Sequence, residues 1–100
     1  MYLLKIKGVV LKNKKSEFNQ SLSFLINQFP PKWHRVHVSN DIIQQNTYYF
    51  DSVWESRMEL EDFLKNERYK VLVGAFKVLG KDPDITISEV SNIESIKKTS

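Results

Sequence analysis

Apolar and polar positions alternate through "YLLKIKGVVL", residues 2–11. Leu4, Ile6 and Val10 fall on one side, and Leu3, Lys5, Lys7 and Val9 on the other. A period of two over this length predicts a strand. Gly8 lies on the Leu4/Ile6 side, where a glycine marks a bulge or a close approach by another part of the chain. After the polar break "KNKKS" the period changes. Phe18, Leu22, Leu25 and Phe29 recur at i, i+4, i+7 and i+11, one face of a helix that Ser16 would cap and Pro30-Pro31 would stop.

Alternation returns in "WHRVHVS", 33–39, and in "TYYFDSVW", 47–54, with the short link "NDIIQQN" making a hairpin of the two. Tyr48, Phe50, Ser52 and Trp54 share one face of the later strand; Tyr49, Asp51 and Val53 share the other. Ser56 and Glu59 then form an S-x-x-E capping box, so a helix follows Trp54 at once, with Leu60, Phe63 and Leu64 as its inner stripe. Tyr69, Leu72, Val73, Phe76 and Leu79 continue a helical period, closed by Gly80 as the residue past the helix end and by Pro83. "VLVGAFKVL" could also be read as a strand, but the period and the closing glycine favour helix. "DITISEV", 84–90, alternates as a last strand.

The order β-α-β-β-α-(α)-β predicts an α+β, ferredoxin-like fold, a four-stranded antiparallel sheet with helices on one face. Leu4, Ile6, Val10, Val36, Val38, Phe50, Trp54, Ile85 and Ile87 would lie under the helices. Lys5, Lys7, Val9, Arg35, His37, Tyr49, Asp51, Val53, Ser88 and Val90 would form the other face. That face is too apolar for a solvated sheet and calls for a partner. A second copy is the expected one, with Val9, Arg35, His37, Tyr49, Asp51, Val53 and Val90 at the contact.

One hundred residues suit one domain, expected over 1–96 with a frayed tail at 97–100. The first half carries seven Lys/Arg and two acids, the second eight and ten, so the net charge of +3 is unevenly spread. A basic half admits nucleic acid. However, "NTYYFDSVW" lacks the glycine and the basic residue of an RNA-recognition strand, which leaves an RNA-binding domain as the weakest alternative. No apolar run is long enough for a membrane span, and "MYLLKIKGVV" does not read as a signal peptide, so a cytoplasmic protein is the expectation.

The absence of cysteine removes thiolate chemistry and Cys-ligated metals. His34 and His37, three apart on a strand, point to opposite faces and cannot share an ion. Neither a metal nor a cofactor is expected. His37 suits an interface better than a general base, and Asp51 suits an ion pair with Lys5, Lys7 or Arg35. Lys12, Lys14 and Lys15 read as a solvated loop, with anion binding at the Ser16 helix start as the other option.

The run "YYFDSVWESRMELEDFLKNERYKVL" resembles the antibiotic biosynthesis monooxygenase-like domains of the dimeric α/β barrel superfamily, whose third strand ends in an aromatic-rich segment with Glu-x-Trp. The resemblance implies a homodimer with a pocket between sheet and helices in each subunit. Its members include cofactor-free oxygenases of aromatic quinols, haem-degrading enzymes and proteins without known activity. Trp54 matches the tryptophan, but Ser52 stands for the glutamate, Phe63 for the histidine that would ligate haem, and Phe50 for the asparagine of some quinol oxygenases. Only Trp54 therefore carries over as a candidate catalytic residue. Phe18, Leu22, Tyr48, Phe50, Ser52, Trp54, Phe63 and Tyr69 are the expected pocket residues, with Tyr48 and Tyr69 supplying hydroxyls. The implied function is cofactor-independent oxidation of an aromatic quinol. The alternative is a non-enzymatic homodimeric binding or interaction module that has lost the chemistry.

Overall fold

A computed structural model describes residues 1–30, 33 and 35–90. His34 and the tail expected at 97–100, with its boundary at 96, lie outside the described residues. The elements are β1 (Tyr2–Val9), α1 (Lys15–Asn27), β2 (Val36–Asn40), β3 (Thr47–Trp54), α2 (Arg57–Lys65), α3 (Glu67–Leu79) and β4 (Asp84–Glu89). The strands form one antiparallel sheet in the order β2-β3-β1-β4, the ferredoxin-like arrangement.

β1 lies at the centre and pairs with β3 so that Ile6 opposes Phe50, Leu4 opposes Ser52 and Tyr2 opposes Trp54. This register puts the apolar sides of both strands under the helices. There Leu4, Ile6, Val10, Phe50 and Trp54 form one core with Phe18, Leu22, Leu25, Leu60, Phe63, Leu72 and Phe76. Gly8 is where α3 comes closest to the sheet. A Cβ built at Gly8 would overlap Cδ1 and Cε1 of Phe76, so the missing side chain seats that ring. Gly80 is also chosen by space. Its backbone bridges Val10, and a Cβ there would collide with the carbonyl oxygen of Val9. Leu11 N–H donating to Leu79 O (2.9 Å) and Lys81 N–H donating to Val9 O (3.0 Å) complete this stitch between the end of α3 and the end of β1.

Several boundaries differ from expectation, each for a local reason. Ser16 does not cap α1. A 3-10 turn over Lys12–Lys14 leads in, and α1 starts at Lys15 with no side-chain cap. The helix ends at Asn27, before Phe29, because Gln28 and Phe29 donate back three residues to Leu25 and Ile26, both at 3.0 Å. The strand expected from residue 33 begins at Val36. Trp33 sits in a turn, its N–H donating to Pro30 O (2.9 Å) and its side chain buried. Ile85 and Ile87 oppose Ile6 and Leu4 on the helix side but remain 43% and 48% exposed, because β4 is an edge strand beyond the reach of the helical layer. Val90 lies past β4 and exchanges hydrogen bonds with Met1 in both directions (2.7 and 3.0 Å).

The N-cap half of the expected capping box is present: Ser56 Oγ accepts from Glu59 N–H at 3.2 Å and opens α2 directly after β3. Asn66 ends α2 and caps α3, accepting from Arg68 N–H at 2.9 Å. Among the described residues no helix is long and apolar enough to cross a membrane.

Gly8→Ala should cost about 1–3 kcal/mol in urea denaturation, because the new methyl displaces the Phe76 ring. The same substitution should cost clearly less in a Phe76→Leu background. Equal costs in both backgrounds would assign Gly8 a different role.

Candidate functional site

β3 delivers Phe50, Ser52 and Trp54 to the helix side, and α2 lays Phe63 over them. Phe63 stacks on Trp54 (ring centroids 4.7 Å apart, 27° between planes) and lies parallel to Phe50 (6.2 Å, 1°). Trp33 meets Phe63 edge-on at 5.0 Å and Trp54 at 6.1 Å. Phe29 and Tyr69 complete the ring of neighbours. Rings therefore fill the space between the sheet and α2.

The indole N–H of Trp54 donates to Ser52 Oγ at 2.9 Å, and both residues are buried. Two residues apart on one strand, they share a face, so the serine satisfies the tryptophan's polar handle. What Trp54 offers a ligand is apolar wall, not a free donor.

Two clefts open at this end of the sheet and share Trp33, Trp54 and Glu59 as walls. One, of about 230 Å³, adds Arg35, Val36, Val53 and Glu55. The other, of about 180 Å³, adds Asp62, Phe63 and Asn66. Ligand pockets for drug-sized molecules run roughly 300–1,000 Å³, so each cleft suits a single ring or an equivalent group. The Arg35 guanidinium stands 3.8 Å from Glu55, the one ion pair at the rim among the described residues.

The expected pocket residues separate into three places. Trp54 and Phe63 line the clefts. Phe50 and Ser52 are buried directly behind them, and Tyr69 packs on the far side of Phe63, where burial raises its phenol above the usual range. Phe18, Leu22 and Tyr48 belong to the solid core under α1. Phe18 touches Tyr48 at 4.7 Å and Phe76 at 4.8 Å, and the Tyr48 hydroxyl is committed to Asn19 Oδ1 at 2.6 Å. Burial also raises the Tyr48 phenol, with the Asn19 bond opposing in part.

The cleft residues that sequence reasoning missed are Trp33, Glu55, Glu59, Asp62 and Asn66. The alternation of residues 33–39 puts Trp33 on a strand, Glu59 enters the sequence reading only as a helix-capping residue, and that reading does not single out Glu55, Asp62 or Asn66. Glu59 and Asp62, three apart on α2, were the available signal, since that spacing puts them on one helix face beside Phe63. A larger hollow of about 460 Å³ between α1 and α3 is lined by Ser21, Phe24, Leu25, Gln28, Glu67, Arg68 and Val71, away from these residues.

On the opposite face of the sheet, Lys5, Lys7, Val9 and His37 are exposed, while Tyr49, Asp51 and Val53 are half-buried. Asp51 stands between Lys5 and His37 across the strands, yet makes no ion pair among the described residues, contrary to the expected pairing. Its Oδ1 is buried without a hydrogen-bond partner. Arg35 pairs with Glu55 instead.

The geometry has clear counterparts. A candidate antibiotic biosynthesis monooxygenase of Deinococcus radiodurans superposes with a TM-score of 0.79 at 17% identity, over 92% of this chain and 94% of that one. A conserved protein of Methanosarcina mazei Go1 gives 0.77 at 15% identity, over 88% and 90%. A crystal structure described as an antibiotic biosynthesis monooxygenase gives 0.74 at 12% identity, over 92% and 100%. The chain has the fold of the antibiotic biosynthesis monooxygenase structures. No protein-family model and no curated protein matches its sequence. The fold expected from the order of elements, and the structural likeness expected from the Trp54 segment, are both observed.

Ser52→Ala should leave the Trp54 N–H buried without an acceptor and cost about 1–3 kcal/mol in urea denaturation. In a Trp54→Phe background the same change should cost little. A cost that persists there would mean that Ser52 acts through packing alone.

Proposed function

We propose that this protein is a homodimeric small-molecule-binding protein that takes a single-ring aromatic compound at the Trp33–Trp54 end of its sheet. The observation that carries this reading is that two adjoining clefts share Trp33, Trp54 and Glu59 as walls. Aromatic walls with a few convergent polar groups are the usual make-up of a small-molecule site. The interior that a larger polycyclic substrate would need is occupied by Phe50 and Phe63. That packing supports binding at the rim rather than deep between sheet and helices.

A second reading, cofactor-independent oxidation of an aromatic quinol by dioxygen, is favoured by Glu59. Its carboxylate borders both clefts and could take up the proton of a bound phenol. The names of the similar structures point the same way. Trp54, the candidate catalytic residue, would then serve as a stacking wall, because its N–H is committed to Ser52.

Dimerisation through the open sheet face is supported by the apolar side chains Val9, Tyr49, Val53 and Val90 on it. Two such faces would bury on the order of 2,000 Å² or more. Arg35 and His37 would lie at its edge.

Hydroquinone and simple phenols should shift the indole N–H resonances of Trp33 and Trp54 saturably. Trp33→Phe and Trp54→Phe should each weaken binding while the far-ultraviolet circular dichroism stays unchanged. A linear, non-saturating response from every phenol and quinol would remove the binding reading. Protein-dependent oxygen uptake with a quinol, lost in Glu59→Gln, would establish the oxidative one.

Sedimentation at micromolar concentration should show a dimer, and Val53→Lys should shift it towards monomer by burying an unpaired ammonium. A wild-type monomer would overturn the assembly.

A further inference from the structure

We infer that the end of the sheet opposite the Trp33–Trp54 clefts docks on an anionic lipid bilayer, with Ile42 and Ile43 leading. β1 ends there and β3 begins there, Val9 facing Thr47, so three connections lie side by side. They are residues 10–14 between β1 and α1, 41–46 between β2 and β3, and 80–83 between α3 and β4. Backbone hydrogen bonds join them: Val10 N–H donates to Asn46 O (2.8 Å), and Lys81 N–H to Val9 O (3.0 Å). Ile42 and Ile43 are 88% and 90% exposed, more than any other large apolar residue among those described. Leu11, in the adjoining connection, is exposed as well.

A single exposed isoleucine is ordinary on a protein surface, but two in succession on a fixed tip are not. The tip is fixed by its own polar residues. Asp41 Oδ1 accepts from the N–H groups of Ile43 and Gln44, both at 2.9 Å, and Asp41 Oδ2 accepts from the Tyr49 hydroxyl at 3.3 Å. Asn40 Nδ2 donates to Gln45 O at 2.8 Å and to Thr47 O at 2.9 Å. Asp41 N–H donates to Thr47 O, and Thr47 N–H to Gln44 O. The isoleucines are therefore presented in place, with little ordering left to do on docking. Much of the polar backbone around them is also paired within the loop. Any partner benefits from the first property. The second is what a chain needs on entering a layer poor in water.

Charge selects the bilayer among the surfaces that could cover such a tip. Lys12, Lys14, Lys15, Lys77 and Lys81 stand in these connections or on the helix turns beside them, against Glu17, Asp41 and Asp82. Lys7 and Asp84 face each other across β1 and β4 and cancel. The balance is positive, and the Asp41 carboxylate is turned to the loop's own N–H groups. Lysines around an apolar tip match an anionic headgroup layer, their stems along the acyl boundary and their ammonium groups among the phosphates. A second copy seated here on a two-fold axis would set these lysines against themselves. A nucleic acid would find neither arginine nor an aromatic ring in the three connections to stack on its bases, and would leave the isoleucines uncovered. The contact is superficial, because two isoleucines reach the boundary between headgroups and acyl chains and do not span it.

The test is co-sedimentation of the full chain with lipid vesicles. At about 0.1 M salt the wild-type protein should bind mixed phosphatidylcholine–phosphatidylserine vesicles at least about tenfold more tightly than pure phosphatidylcholine vesicles. About 1 M salt, where the screening length is about 3 Å, should abolish the difference. Ile42→Ser/Ile43→Ser should weaken binding to the anionic vesicles about tenfold or more, and so should Lys12→Gln/Lys81→Gln. All four side chains are exposed, so both variants should keep the circular dichroism and the sedimentation coefficient of the wild type. Binding that survives the isoleucine substitutions would reduce the contact to lysines on any polyanion and overturn the inference. Equal binding to neutral vesicles would overturn the role of the lysines, and binding to neither kind would overturn the docking surface itself. A change of oligomeric state in the isoleucine variant would put a second copy on the tip and overturn the inference too.

Discussion

The ring of Phe63 meets five other aromatic side chains, and these come from every part of the chain around it. Trp54 and Phe50 come from β3, Tyr69 from α3, and Phe29 and Trp33 from the connection between α1 and β2. Full burial of such a ring stabilises by about 1.5–3 kcal/mol, and each well-oriented aromatic pair adds roughly 0.5–1.5 kcal/mol. One side chain on a nine-residue helix thus fixes α2 to the sheet, the start of α3 to α2, and the turn at Trp33 to both. Removing it would loosen three connections at once.

The same contact decides where a ligand can go. A pocket between sheet and helices needs empty space behind the tryptophan of β3. Here Phe63 occupies it from above and Phe50 closes it from below, with Ser52 tied to the indole. The free space beside this aromatic cluster lies at the rim, where α2 brings Glu59 and Asp62 alongside Trp33 and Trp54. The sheet face turned away from the helices keeps its half-apolar character, with a carboxylate oxygen buried and unpaired at Asp51.

Much of the candidate site was hidden in the sequence for a physical reason. Phe50, Ser52 and Trp54 were legible as one strand face because a period of two is a local property. Their contact with Phe63 was not, since it depends on how α2 crosses the sheet. The strand reading of Trp33 fails because "WHRVHVS" alternates as well as a strand does, while Trp33 itself turns back with its N–H on Pro30 O and is buried. Tyr48 looked like a pocket hydroxyl. Its partner, Asn19, lies 29 positions away on α1, a separation that no local pattern reports.

The sequence by itself determined the order of strands and helices, the inward face of each and the start of α2. All of these follow from side-chain periodicity and capping chemistry over a few residues. Gly8 was visible as a point of close approach, but only the tertiary structure named Phe76 as what approaches it. The exposure of Ile85 and Ile87 was likewise decided in three dimensions. Their alternation is as regular as that of Leu4 and Ile6, yet β4 stands at the sheet edge, and three helices cannot cover four strands evenly. Periodicity states which way a side chain points; only the packing of distant elements states what it meets there.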